Sequence, residues 1–115
     1  MTVGIDDQIA DVMRLLHVTA RPVRADQFVQ VSRNAIDSPA VVGFRRADDD
    51  EDFTDWEIVS TKEDPGAAQF GYYSVEELAE LRPEWLVALP LPAGWAFRFD
   101  ADTLVDCVSS ERRTI

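Results

Sequence analysis

Apolar positions recur along the chain with two periods, and the switches between them outline the expected elements. Ile5, Ile9, Val12, Met13 and Leu16 fall at helical spacing within an arc of roughly 100°, with Asp6, Asp7, Asp11 and Arg14 on the other faces. This pattern predicts an amphipathic helix over residues 5–17. Asp6 and Asp7 favour the positive end of its dipole, and Pro22 lies just past its end. The period then shortens. Residues 27–33 (QFVQVSR) and 40–46 (AVVGFRR) are rich in β-branched and aromatic side chains and flank Asn34, Asp37, Ser38 and Pro39. They are expected to form two antiparallel strands joined by a short turn. In residues 56–61 (WEIVST), Trp56, Ile58 and Ser60 alternate with Glu57, Val59 and Thr61 as a third strand, after which Asp64-Pro65-Gly66 marks a turn.

Helical spacing returns at Ser74. Ser74 and Glu77 have the spacing of a capping box, Val75, Leu78 and Ala79 supply an apolar stripe, and Pro83 forbids continuation, so a second helix is expected over residues 74–82. Pro90 and Pro92 keep the next stretch extended, and Trp95, Phe97 and Phe99 then alternate with Ala96 and Arg98 as in a half-buried strand. Residues 103–108 suit a final edge strand, with a helix nearly as good. No internal repeat or long linker divides the chain. The expectation is a single domain over residues 1–115, made of an N-terminal helical segment (1–25) and an α+β core (26–108). Helices and strands follow one another without regular alternation, which predicts an α+β fold with two helices and a mainly antiparallel sheet of about four to five strands.

Composition narrows the function. A chain of 115 residues that is 46% hydrophobic has material for one core. Its 22 acidic and 11 basic residues give a net charge of −11, which opposes nucleic-acid phosphates and anionic membranes at long range; neither is an expected partner. Residues 1–7 lack the basic and apolar regions of a secretory signal, and the longest aliphatic stretch, 85–91, is interrupted by Pro90 and falls far short of the roughly 20 residues that span a bilayer. A cytoplasmic location is expected. One Cys precludes an intramolecular disulfide and a Cys-based zinc cluster, and one His precludes an imidazole-rich metal site. Among Gly4, Gly43, Gly66, Gly71 and Gly94 no two are close enough for a phosphate-binding loop, so no cofactor is expected. His17, near the end of the first helix, has no Ser or Cys placed beside it by a nucleophile motif and reads as structural or solvated. Cys107, flanked by apolar residues, reads as a small hydrophobe. No catalytic residue is assigned.

The charge is concentrated. Asp48, Asp49, Asp50, Glu51, Asp52, Asp55 and Glu57 put seven carboxylates into ten residues with no intervening base; without them the chain has 15 acidic against 11 basic residues. Asp48, Asp50 and Asp52 have the first spacings of an EF-hand loop, but Phe53 stands where Gly is needed and Val59 where the bidentate Glu is needed. A looser divalent-ion site stays open, while paired-carboxylate catalysis suits such a like-charged run poorly. The run is either a solvated connection or a recognition loop in which charges steer a basic partner and Phe53 and Trp56 anchor it. Arg45 and Arg46, just upstream, would neutralise part of it. Phe44, Trp56, Trp85, Trp95, Phe97 and Phe99 are expected in the core. Phe70, Tyr72 and Tyr73 fall in a loop before the second helix, where some are available for contact. The candidate partner-binding residues are Asp48, Asp49, Asp50, Glu51, Asp52, Phe53, Asp55 and Tyr72.

A succession of short pieces between residues 31 and 99 carries a family resemblance. These are Val31-Ser32-Arg33, Val42-Gly43-Phe44-Arg45-Arg46, Asp55-Trp56, Glu63-Asp64, the stretch from Tyr73 to Leu78, Arg82-Pro83, Leu89, and Leu91-Pro92-Ala93-Gly94-Trp95-Ala96-Phe97. In this order they resemble a family of small bacterial immunity proteins that accompany polymorphic toxins; Glu57 and the continuation past Phe97 depart from its pattern. The resemblance implies a non-enzymatic inhibitor that binds a cognate protein toxin in the cytoplasm of the producing cell, and charge makes a basic toxin the natural complement. Behind that reading stand a general interaction or regulatory domain and, third, a small enzyme using paired carboxylates or a loosely held metal.

Overall fold

Residues 5–47 and 51–109 are described in a computed structural model of the chain. Helix α1 (Ile5–Leu16) is followed by strands β1 (Phe28–Ser32), β2 (Ala40–Arg45), β3 (Phe53–Ser60) and β4 (Phe70–Ser74), helix α2 (Val75–Leu81), a 3-10 segment (Pro83–Val87), and strands β5 (Trp95–Asp100) and β6 (Thr103–Ser109). The fold is α+β. Among the described residues, six strands form one sheet in the order β4-β1-β3-β2-β5-β6, in which only the β1–β3 pair is parallel.

Local chemistry starts α2 as the spacing predicts and ends α1 in a way it does not announce. The Ser74 hydroxyl accepts from the Glu77 N–H and the Glu77 carboxylate accepts from the Ser74 N–H, a complete capping box at the start of α2. At the end of α1, His17 takes a left-handed φ of 56°, while its N–H donates to Arg14 O and that of Val18 to Met13 O. Those two bonds are a Schellman closure, so the lone His serves as the residue that stops the helix.

Pairing between the strands departs from expectation in two places. Strands β1 and β2 do not form a hairpin, because β3 lies between them, parallel to β1 and antiparallel to β2. The connection after β1 is drawn away from a tight turn by distant residues: Arg82 Nη1 donates to the carbonyls of Ala35, Ile36 and Ser38, and Glu63 accepts from Ser32 Oγ and Asn34 Nδ2. Strand β3, buried over most of its length, then takes a central position. The segment holding Phe70, Tyr72 and Tyr73 is a sixth strand rather than a loop, edge-paired to β1. Residues 103–109 form a strand, joined to β5 by a two-residue turn in which Ala101 takes a φ of 56° without a Gly or Asn to announce it.

One face of the sheet is covered. Val29 and Val31 of β1, Val41 of β2, Trp56 and Ile58 of β3 and Trp95, Phe97 and Phe99 of β5 form the core with Met13, Val75, Leu78, Trp85, Leu89 and Leu91. At Gly43 the covered face has no room for a side chain, since a Cβ there would lie 2.5 Å from the Phe97 ring. Phe44 is a correction to the expected core: alternation turns it to the opposite, uncovered face, where it is 41% exposed.

A candidate partner-binding face

The uncovered side of the sheet is built by the alternate residues of the same strands, including Phe28, Gln30, Val42, Phe44, Tyr72, Ala96 and Arg98. At the end where β1 and β3 begin, three aromatic rings meet. Phe28 and Phe53 are register partners with ring centroids 6.0 Å apart, and Phe53 lies 5.4 Å from Tyr72. Tyr72 is 57% and Phe28 38% exposed, and Gln30 Nε2 donates to the Tyr72 hydroxyl at 3.2 Å. The rings edge a shallow cleft of about 190 Å³, whose other walls are Gln30, Arg46, Asp55 and Trp56.

Glu51 and Asp52, the described end of the acidic run, lie at one side of this site. Asp48, Asp49 and Asp50 lie outside the described residues. Glu51 and Asp52 are exposed, and their backbone is fastened to the start of β1: the Glu51 carbonyl accepts from Arg24 Nη2 and Gln27 Nε2, and the Asp52 carbonyl from the Phe28 N–H. Asp55 is of a different kind. It sits in a bulge of β3 with a φ of 68°, its side chain is only 3% exposed, and its carboxylate accepts from Arg21 Nη2 at 3.3 Å. Glu57 is half-buried, 3.5 Å from Arg46. The cluster of rings therefore brings together Phe53 and Tyr72 with Phe28, a residue that sequence reasoning missed because it assigned Phe28 to an ordinary strand; Glu51 and Asp52 flank them, and Asp55 stands behind as part of the scaffold.

The two arginines of residues 45 and 46 have opposite tasks. Arg46 is exposed at the cleft, whereas Arg45 points into the core and is 1% exposed. Its Nε donates to Thr54 O, and its Nη1 lies within 2.9 Å of the carbonyls of Arg21, Leu89 and Leu91. Burial first, then the nearby Arg21 cation, push its pKa down to about 10 against the opposing pull of Asp55, so it remains charged at neutral pH. Trp56 adds an indole N–H bond to the same Leu89 carbonyl at 2.8 Å.

Burial, then the Asp106 carboxylate, push the Cys107 thiol up to about 11, which keeps it protonated at neutral pH. Among the described residues, no group of three or more His, Cys, Asp and Glu side chains could hold a metal ion, and no helix is long and apolar enough to cross a membrane. What the face offers chemically is contact: rings to exclude water, amide and guanidinium donors, and neighbouring carboxylates.

Neither the curated proteins nor the solved structures contain a match to the chain. The model of the Imm33-like domain, an immunity-protein family, matches residues 8–110, which spans every strand of the sheet and most of α1; the chain belongs to that family.

Proposed function

We propose that this protein is a non-enzymatic immunity protein that binds a cognate toxin in the cytoplasm of the producing cell and neutralises it. The observation that carries the reading is the Phe28–Phe53–Tyr72 cluster, with Phe28 and Tyr72 exposed, on a sheet face left uncovered by the described residues and flanked by Glu51 and Asp52. Membership of an immunity-protein family supports a toxin partner in general. The aromatic cluster supplies anchors that gain by desolvation, and the acids supply steering toward a basic surface. Asp48, Asp49, Asp50, Glu51 and Asp52 would serve in steering and Phe53 and Tyr72 in contact, with Asp55 holding the bulge that presents them.

An immunity gene is expected to sit beside a toxin gene, and the test is co-production with the protein that such a neighbouring gene encodes. The wild-type chain should restore growth and bind that protein in calorimetry. Phe28→Ala and Phe53→Ala should each weaken binding by about 10- to 100-fold, the range of a central aromatic anchor, with a near-native thermal midpoint. Growth arrest despite abundant wild-type protein, or unchanged affinity of the double variant, would reject the reading.

A further inference from the structure

The sheet has two edges, and they are protected differently. Strand β6 is disrupted by a register shift opposite Arg98 and Phe99 and carries the exposed Asp106, two devices that discourage another strand from pairing with it. Strand β4 has neither: its sequence is Phe-Gly-Tyr-Tyr-Ser, its pairing with β1 is regular over all five residues, and it contains no charge and no proline.

The ladder tells which of its backbone groups are used. Val75 N–H donates to Gln27 O and Arg33 N–H donates to Gln69 O, which sets the alternation of this antiparallel pair: residues 69, 71, 73 and 75 bond to β1, and residues 70, 72 and 74 face outward. The Ser74 N–H is taken by the Glu77 carboxylate. Phe70 and Tyr72 thus each present an N–H and a C=O to an edge that no described residue covers, and Tyr72 also carries the most exposed ring of the aromatic cluster.

We infer that β4 is a docking edge for an extended, basic segment of the partner protein, which adds a seventh strand to the sheet beside Phe70 and Tyr72. This rests on the proposed role as a partner-binding protein and specifies how the partner is held. Main-chain bonds would give the strand its register, and side chains on the uncovered face would meet Tyr72 and, beyond it, Phe53. Charge selects the occupant. Helix α2, which starts at the end of β4, exposes Glu76, Glu77 and Glu80, and Glu51 and Asp52 lie near the same end of β1. A second copy of this chain, at net −11, would bring like charges together, whereas lysine or arginine residues would find complements.

The experiment uses the full chain and a short capped peptide alternating lysine and valine, followed by amide hydrogen exchange. Saturating peptide should slow exchange at the Phe70 and Tyr72 amides, and the same peptide N-methylated at alternate residues should not. Tyr72→Pro removes an outward N–H without touching the β1 ladder, while Tyr72→Ala removes only the ring. The proline variant should bind roughly tenfold more weakly than the alanine variant, the effect of about one hydrogen bond lost, with unchanged Gly71 and Tyr73 protection as proof of folding. Absence of peptide binding, equal binding of a glutamate–valine peptide, equal affinity of the two variants, or protection that appears with rising protein concentration alone would overturn the inference. Each of these outcomes leaves growth rescue by the wild-type chain to decide the proposed function separately.

Discussion

Arg45 shows how one side chain can organise a core that its charge alone would disfavour. Its guanidinium reaches carbonyls from three separate chain regions, Arg21, Thr54 and the Leu89–Leu91 turn, while the Gly94 N–H returns a 2.7 Å bond to its own carbonyl. A planar group with several fixed donors can satisfy such a set, and an ammonium cannot. Arg45→Ala should therefore cost about 3–5 kcal/mol by leaving buried carbonyls without donors, and Arg45→Lys should recover little of it. Urea unfolding followed by Trp fluorescence measures both. Together with Gly43 under the Phe97 ring and Trp56 bonded to Leu89, this residue explains several pieces of the family resemblance. Those pieces mark the scaffold, whereas Phe28, Phe53 and Tyr72 lie outside them.

At the level of elements, the connection from β3 to β4 is fastened by Glu63. Its carboxylate accepts from Ser32 Oγ at the end of β1, from Asn34 Nδ2, and from the Ser60 N–H at the end of β3. Desolvation raises its pKa, but the three hydrogen bonds outweigh that and hold it below the ordinary value of 4.5. The sign follows from linkage. A carboxyl with a depressed native pKa contributes stability that is fully present above its unfolded pKa and is lost as pH falls through the native one. Glu63→Gln should thus lower the urea midpoint at pH 7, and the gap from wild type should narrow once acid protonates Glu63 below its native pKa; a constant gap down to pH 2.5 would remove the clasp as its cause. The same bonds tie the start of the 33–39 connection to the end of β3, the strand that lies between β1 and β2.

For the molecule as a whole, net charge matters less than where it lies. Seven acids in residues 48–57 account for most of the −11, but Asp55 is turned inward to Arg21 and Glu57 is 3.5 Å from Arg46, so among the described residues of the run the exposed charge is that of Glu51 and Asp52. These two are fixed to β1 through their carbonyls, next to the aromatic rings. If the stretch ending at Asp52 steers a basic toxin, replacing Asp49, Asp50 and Asp52 by Asn should slow association about tenfold at low ionic strength, flatten the salt dependence and leave dissociation nearly unchanged. Stopped-flow mixing across a salt series reads all three quantities. An unchanged association rate would make the stretch a solvated connection.

Periodicity alone determined both helices, the α+β class and most strands, because those depend on contacts between near neighbours: the arc of Ile9, Val12, Met13 and Leu16, the Ser74–Glu77 box, the alternation at Trp95–Phe99. Order of succession likewise carried the resemblance to immunity proteins, which the family match bears out. Strand order was not legible there, since it rests on contacts between residues distant in sequence, of which the bonds of Arg82 and Glu63 to the connection after β1 are examples. Nor was the division of labour among similar side chains. Arg45 and Arg46, or Asp52 and Asp55, differ in task only because the pleat and the bulge at Asp55 send one inward and leave the other exposed. The edge strand β4 was hidden for a related reason: Phe70, Gly71, Tyr72 and Tyr73 lack a clean alternation, and only pairing with β1 reveals which of their backbone groups are left to face outward.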